Sequence, residues 1–145
     1  MWHISGAGLP KESRYFASLD LSVSLIFSTF FAGDKPSTAE MFARLDKTDY
    51  PRPDIEKTVT AVKNGSYSEL TRALGNSFSV LWEGSNIPDR LYSCGADAVS
   101  LSGSGPARFA LFSDDEKAKM AREYLKNEGF FVYSCRPSES SFVIK

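Results

Sequence analysis

The chain has 145 residues, of which 42% are hydrophobic and 13% aromatic. This length and composition suit one compact domain that buries about two-thirds of the surface exposed by its unfolded form. The 17 basic and 18 acidic residues nearly cancel, so no broad basic field is available to hold nucleic acid. His3 is the only histidine, which argues against a histidine-rich metal site and against a Ser-His-Asp triad.

The longest apolar run, residues 19–31, predicts a strand, because apolar side chains alternate with serines along most of it. At about 13 residues the run is too short for a membrane span, so we expect no membrane partner. The chain has two cysteines, Cys94 and Cys135, and no signal-peptide pattern. We therefore expect a cytoplasmic protein with at least half-buried thiols.

Four helices are predicted in the middle of the chain. Ser37 and Glu40 form a capping-box pattern, Asp54 is a favourable N-cap, Ser66 begins a second capping-box pattern, and Ser85 opens a short helix. The third helix is expected to run or kink through Gly75 towards residues 78–82. The side chains expected to face inward are Met41, Phe42, Leu45, Ile55, Val59, Val62, Tyr67, Leu70, Leu74, Ile87, Leu91 and Tyr92.

The pattern changes after Asp97. Strands are predicted over residues 97–102, 108–112 and 130–135, with a helix from Asp114 or Asp115 to Asn127 before the last strand. The inward face of that helix is expected to carry Ala118, Ala121, Tyr124 and Leu125. With the early strand, the elements predict an α+β sandwich of the ferredoxin-like kind, with about four antiparallel strands. Residues 1–136 form one predicted domain, and residues 137–145 a polar tail.

A Gly/Ser turn joins the second and third predicted strands, from Ser102 to Pro106. Glycine adopts positive φ and allows another group to approach backbone N–H donors, so such a turn can hold an anion. It does not lead directly into a helix, so a phosphate would have to bind turn amides rather than a helix N-terminus. The alternative is a tight hairpin whose small residues satisfy turn geometry alone.

Three segments resemble the carboxyl-terminal domain of the GHMP kinases, the family of galactokinase, homoserine kinase and mevalonate kinase. Residues 37–42, 74–78 and 95–106 occur in the order and spacing of that domain. The most specific match is Leu101 to Pro106, which resembles the third signature of the family. The resemblance extends over about residues 19–136.

The resemblance implies an intact enzyme that uses ATP and magnesium to phosphorylate a cytidine-diphosphate-linked methylerythritol, in isoprenoid precursor synthesis. It places the third signature at the cleft between two domains, near the nucleotide phosphates and the substrate. The residues that it places at this cleft are Ser102, Gly103, Ser104, Gly105 and Pro106. Their role would be positioning rather than bond making.

Two further residues have competing interpretations. Arg108 follows the turn and is able to bind a diphosphate through two N–H donors, although an arginine on the outer face of an edge strand is more common. Asn76 stands at a Gly-Asn position of the family, near the cleft, and is equally well explained by local capping.

The phosphate-cradling glycine signature of the GHMP kinases is absent from the 145 residues. We therefore expect negligible kinase activity and no tight ATP or magnesium binding from this chain alone, and no metal site of its own. Possible partners are an amino-terminal GHMP half supplied in trans and a second copy of the chain. The alternative is a stand-alone ferredoxin-like module that binds a ligand or dimerises without catalysis.

Overall fold

The computed structural model describes the backbone of residues 25–29 and all atoms of residues 36–135. This part of the chain contains both helices and antiparallel strands, which confirms the α+β class. The strands are β1 (Leu25–Thr29), β2 (Ala98–Leu101), β3 (Arg108–Leu111) and β4 (Phe131–Cys135). The helices are α1 (Thr38–Leu45), α2 (Ile55–Lys63), α3 (Tyr67–Ala73), a 3-10 helix (Ser77–Trp82), α4 (Ile87–Ser93) and α5 (Asp115–Asn127).

Helix α1 begins at the predicted capping box. The Ser37 hydroxyl accepts the Glu40 N–H at 3.2 Å, and the Glu40 carboxylate accepts the Ser37 N–H at 2.8 Å. Met41 and Leu45 are buried as predicted, but the inward prediction for Phe42 is wrong, because 53% of its surface is exposed. Its ring instead meets the Phe78 ring edge-on, with centroids 4.9 Å apart.

Helix α2 is capped by Asp54, whose carboxylate accepts the Lys57 N–H at 3.0 Å. It packs through its last turn, where Ala61 and Val62 are buried. The inward predictions for Ile55 and Val59 are therefore wrong, since both are exposed.

Helix α3 lacks the predicted second capping box, since the Ser66 side chain caps nothing. The reason is that the Ser66 N–H already donates to the Ala61 carbonyl at 2.9 Å, closing the end of α2 at Gly65. Glu69 therefore has no N-cap amide to accept.

The predicted extension of α3 is also corrected. Helix α3 ends at Ala73, Leu74 is extended, and residues 77–82 form a separate 3-10 helix. Gly75 lies against Pro53, where an added Cβ would come within 3.2 Å of the proline ring. This close approach directs the chain across the sheet end rather than along the axis of α3.

The four strands form one sheet in the order β2-β3-β1-β4, with every neighbouring pair antiparallel. Successive residues of a strand face opposite sides of the sheet. Ala110 belongs to a core with α4 and α5, and Leu111 to a core with α2 and α3. The sheet is therefore a middle layer between two pairs of helices.

Helices α4 and α5 supply most of the first core, with Ile87, Leu91, Ala118, Ala121 and Leu125 buried. The inward predictions for Tyr92 and Tyr124 are wrong, since these side chains are 51% and 45% exposed. Both tyrosines lie at the border of a narrow apolar stripe, where the ring reaches solvent. Cys94 is half-buried as predicted, whereas the burial prediction for Cys135, the last residue of β4, is wrong, because this residue is exposed.

Asp97 links α3 to the ends of β2 and β3. Its carboxylate accepts the Tyr67 hydroxyl at 2.7 Å and the Ser113 N–H at 2.6 Å. Partial burial alone would raise the pKa of Asp97, but these hydrogen bonds outweigh it and hold that pKa below its usual value. Burial and the bond to Asp97 raise the pKa of Tyr67.

No helix within residues 36–135 has the length and apolar character needed to cross a bilayer. The predicted division into a domain of residues 1–136 and a tail of residues 137–145 remains a prediction. The tail lies outside the described residues.

Candidate functional site

The Gly/Ser turn closes the hairpin between β2 and β3. The Ser102 N–H donates to the Ala107 carbonyl at 2.8 Å, and the Gly105 N–H donates to the Ser102 carbonyl at 3.0 Å. The peptide bond between Gly105 and Pro106 is cis. Two of the N–H groups that were candidates for an anion cradle are therefore used inside the turn.

Gly103 is the exposed tip of the turn, with φ of 57°, whereas Ser104 and Gly105 are buried. No acceptor for the Gly103 N–H is found among residues 36–135. Pro106 has no N–H to offer. Gly103 is therefore the exposed residue of the turn whose N–H has no acceptor in the described part of the chain.

Asn76 holds the turn from one side. Its Nδ2 donates to the Leu101 and Gly103 carbonyls, both at 2.9 Å, while its Oδ1 accepts the Phe78 N–H at 2.8 Å. The local-capping interpretation of Asn76 is therefore confirmed, and the same side chain also fixes the turn, whereas its position near a cleft stays a prediction. Its amide is committed to protein partners, so Asn76 positions the turn.

Trp82 holds the turn from the other side, a contact that the sequence analysis missed. Its indole Nε1 donates to the Ser104 carbonyl at 3.0 Å. A Cβ built on Gly105 would lie 2.6 Å from the indole Cε2, so the glycine is what allows the ring to approach. The available signal was that an indole carries an N–H donor, which needs a partner when partly buried.

Arg108 is the first residue of β3, and the edge-strand interpretation of it is wrong. Strand β3 lies between β2 and β1, and only 6% of the Arg108 surface is exposed. Its Nη2 donates to the Trp82 carbonyl at 3.4 Å, a long hydrogen bond to a neutral group. Burial lowers the pKa of Arg108.

The predicted site residues thus lie together at one end of the sheet. Asn76 and Trp82 bracket the turn of residues 102–106 by hydrogen bonds from two sides. Arg108, which follows the turn in the chain, donates a hydrogen bond to the Trp82 carbonyl. The 3-10 helix supplies both bracketing side chains at its two ends. This arrangement fixes the backbone of the turn and leaves one buried positive charge beside it.

Residues 85–130 match the family model described as GHMP kinases C terminal. These residues carry a GHMP kinase C-terminal domain. The matched range includes the turn and Arg108, whereas Asn76 and Trp82 precede it. The two residues that bracket the turn therefore lie outside the matched range, and their contacts with the turn are known from the structure.

The GHMP assignment is supported by curated relatives called 4-diphosphocytidyl-2-C-methyl-D-erythritol kinase. The chain is 35% identical to the Bacillus cytotoxicus protein in an alignment of 107 positions that covers 69% of this chain and 36% of that protein. It is 32% identical to the Listeria monocytogenes serovar 1/2a protein in an alignment of 106 positions that covers 70% of this chain and 36% of that protein. The chain therefore spans little more than a third of the length of these GHMP relatives.

The fold also resembles that of a solved homoserine kinase from Cytophaga hutchinsonii. The TM-score is 0.57 at 17% identity, over 80% of this chain and 41% of that one. At this identity the likeness concerns the GHMP fold alone.

Proposed function

We propose that this chain acts as the carboxyl-terminal domain of an ATP-dependent small-molecule kinase similar to 4-diphosphocytidyl-2-C-methyl-D-erythritol kinase. Its contribution is the Gly/Ser turn at the edge of the nucleotide and substrate cleft. The observation that carries the proposal is the bracketing of this turn by Asn76 and Trp82. A turn held by hydrogen bonds from two sides keeps its backbone in place during phosphoryl transfer. Fixed positioning of this kind lowers the activation barrier of the transfer.

Each residue of the turn region has a distinct part in this proposal. Gly103 offers its outward N–H at the cleft, and Gly105 admits the indole that fixes the turn. Ser102 and Pro106 close the turn where it joins β2 and β3, and Ser104 is held through its carbonyl. Asn76 positions the turn, and Arg108 supplies positive charge behind it.

ATP, magnesium and a cytidine-diphosphate-linked methylerythritol are the proposed cofactors and substrate of the complete enzyme. Magnesium favours carboxylate and phosphate oxygens, and no group of three or more potential ligands lies together in the described part of the chain. The ATP-binding half is a separate part, either joined to this chain or supplied in trans, in the cytoplasm.

We also propose the ferredoxin-like topology for this domain, formed by residues 1–136 and followed by a polar tail. Its support is the order β2-β3-β1-β4, in which the first and last strands along the chain pair at the centre and edge of an antiparallel sheet.

The proposal predicts that the 145-residue chain alone transfers no phosphate from ATP to the methylerythritol substrate. Adding the amino-terminal half of the Bacillus cytotoxicus relative should restore transfer, because phosphoryl transfer needs the metal-bound phosphates and the turn together. Product formation is followed by phosphorus NMR or mass spectrometry. A rate of roughly 1 per second from the chain alone, the low end for kinases, would contradict the proposal.

The alternative, a stand-alone module that binds a ligand or dimerises, is favoured by one observation. Strand β4 presents Phe131 and Tyr133 with 57% and 67% of their surfaces exposed, and neighbouring exposed apolar side chains promote association. A stable dimer that gains no transfer activity from the added half would support this module instead.

A further inference from the structure

Arg108 is a buried cation without a matched counter-charge in the part of the chain that the structure describes. Only 6% of its surface is exposed, and no carboxylate of residues 36–135 lies within ion-pair distance of it. Within the described part of the chain, the one hydrogen bond of its guanidinium is the 3.4 Å contact with the Trp82 carbonyl. Since burying a charge without a partner is strongly unfavourable, a buried guanidinium of this kind requires an anion.

The donors of Arg108 suit an anion with several oxygens. A guanidinium carries five N–H donors in a planar fork that matches carboxylate and phosphate groups through two parallel bonds. One of these donors is used by the long contact to Trp82, and the others remain for an oxyanion. Trp82 itself is half-buried rather than fully enclosed.

We propose that Arg108 binds a phosphoryl group of a small-molecule phosphate ester or diphosphate beside the Gly/Ser turn. The choice of phosphate over other anions rests on the proposed function, while anion binding by the chain itself does not need the ATP-binding half. Arg108 is thus a recognition residue, and Trp82 lies between it and the turn. The ligand replaces the weak contact between the guanidinium and the Trp82 carbonyl.

Trp82 offers a direct signal for this binding. The chain has two tryptophans, at positions 2 and 82, so the Trp2→Phe variant leaves Trp82 as the only indole. Pyrophosphate, ADP and CDP are titrated separately into the full 145-residue variant without magnesium. We expect a saturable change in tryptophan emission, and the order of affinity between ADP and CDP shows whether the nucleotide or the cytidine-linked substrate supplies the phosphate.

Arg108→Gln removes the charge and keeps much of the volume of the side chain. We expect its affinity for pyrophosphate to fall at least about tenfold, the scale of hydrogen bonds to a charged group. The matched control is Arg122→Gln on the surface of α5, where the same loss of charge should leave the affinity within about twofold. A loss of binding in both variants would reveal unspecific attraction and overturn the proposal.

The melting temperature separates a ligand site from an internal ion pair. Without added anion, Arg108→Gln should melt at the same temperature as the parent or higher, because an unmatched buried charge is removed. A marked fall in melting temperature together with no pyrophosphate binding by the parent would show that a carboxylate of the chain pairs with Arg108, and the proposal would fail. Restored kinase activity in the trans assay without any such binding would leave the proposed function standing and reject Arg108 as an anion site.

Discussion

Gly105→Ala should lower the free energy of unfolding by roughly 2–5 kcal/mol, combining steric overpacking with the penalty for a left-handed backbone. Gly105 has φ of 83°, a conformation that alanine rarely adopts. The added Cβ would also lie 2.6 Å from Cε2 and 3.0 Å from Cζ2 of Trp82. The ring cannot retreat without breaking its hydrogen bond to the Ser104 carbonyl. Urea unfolding followed by circular dichroism measures the loss.

Gly103→Ala is the matched control within the same turn. Its φ of 57° is also positive, but nothing lies within 4 Å of the added Cβ. We therefore expect only the conformational penalty, about 1–2 kcal/mol. Equal losses in the two variants would show that Trp82 does not press on Gly105, which would contradict the bracketed turn.

Asn76→Ala should lower the free energy of unfolding by about 2–4 kcal/mol, because three hydrogen bonds are lost at once. The Leu101 and Gly103 carbonyls lose a shared donor, and the Phe78 N–H loses its acceptor. Asn76→Asp should be at least as damaging, since a carboxylate oxygen would face the two carbonyls in place of the amide donor. The emission of Trp82 should shift in both variants, since the turn moves relative to the indole.

Asn86→Ala is the control, because it removes an N-cap side chain that makes no hydrogen bond. Asn86 is the N-cap of α4, is exposed, and makes no capping hydrogen bond through its side chain. We expect a change within about 0.5 kcal/mol, typical of surface substitutions. A small effect of Asn76→Ala, similar to that of Asn86→Ala, would mean that the turn keeps its shape without the amide.

Helix ends were more predictable than helix faces. The caps at Ser37 and Asp54 depend on bonds within three residues, and both are confirmed. The predicted start of the last helix at Asp114 or Asp115 is also confirmed. The second capping box failed because the N–H of Ser66 was taken by the preceding helix. The predictions of inward-facing side chains were wrong at Phe42, Ile55, Val59, Tyr92 and Tyr124. A helix buries only the side chains that neighbouring elements cover.

The candidate site was predictable where it depends on local turn chemistry. The Gly/Ser turn follows from the glycines and their neighbours, and its position between β2 and β3 is as predicted. The contact of Trp82 with the turn and the burial of Arg108 depend on residues more than 20 positions apart and on the order of the strands. Spacing within the sequence carries no information on such pairings.

The measurement that tests the central claim most directly is transfer activity in a chimaera. The aligned region of the Bacillus cytotoxicus relative is replaced by the matching residues of this chain, and phosphorylation of the cytidine-diphosphate-linked methylerythritol by ATP is measured. We expect turnover of roughly 1–100 per second, the usual range for kinases, and its loss when Gly105→Ala is added. A folded chimaera that binds ATP but transfers no phosphate, or one that keeps full activity with Gly105→Ala, would contradict the role of the turn.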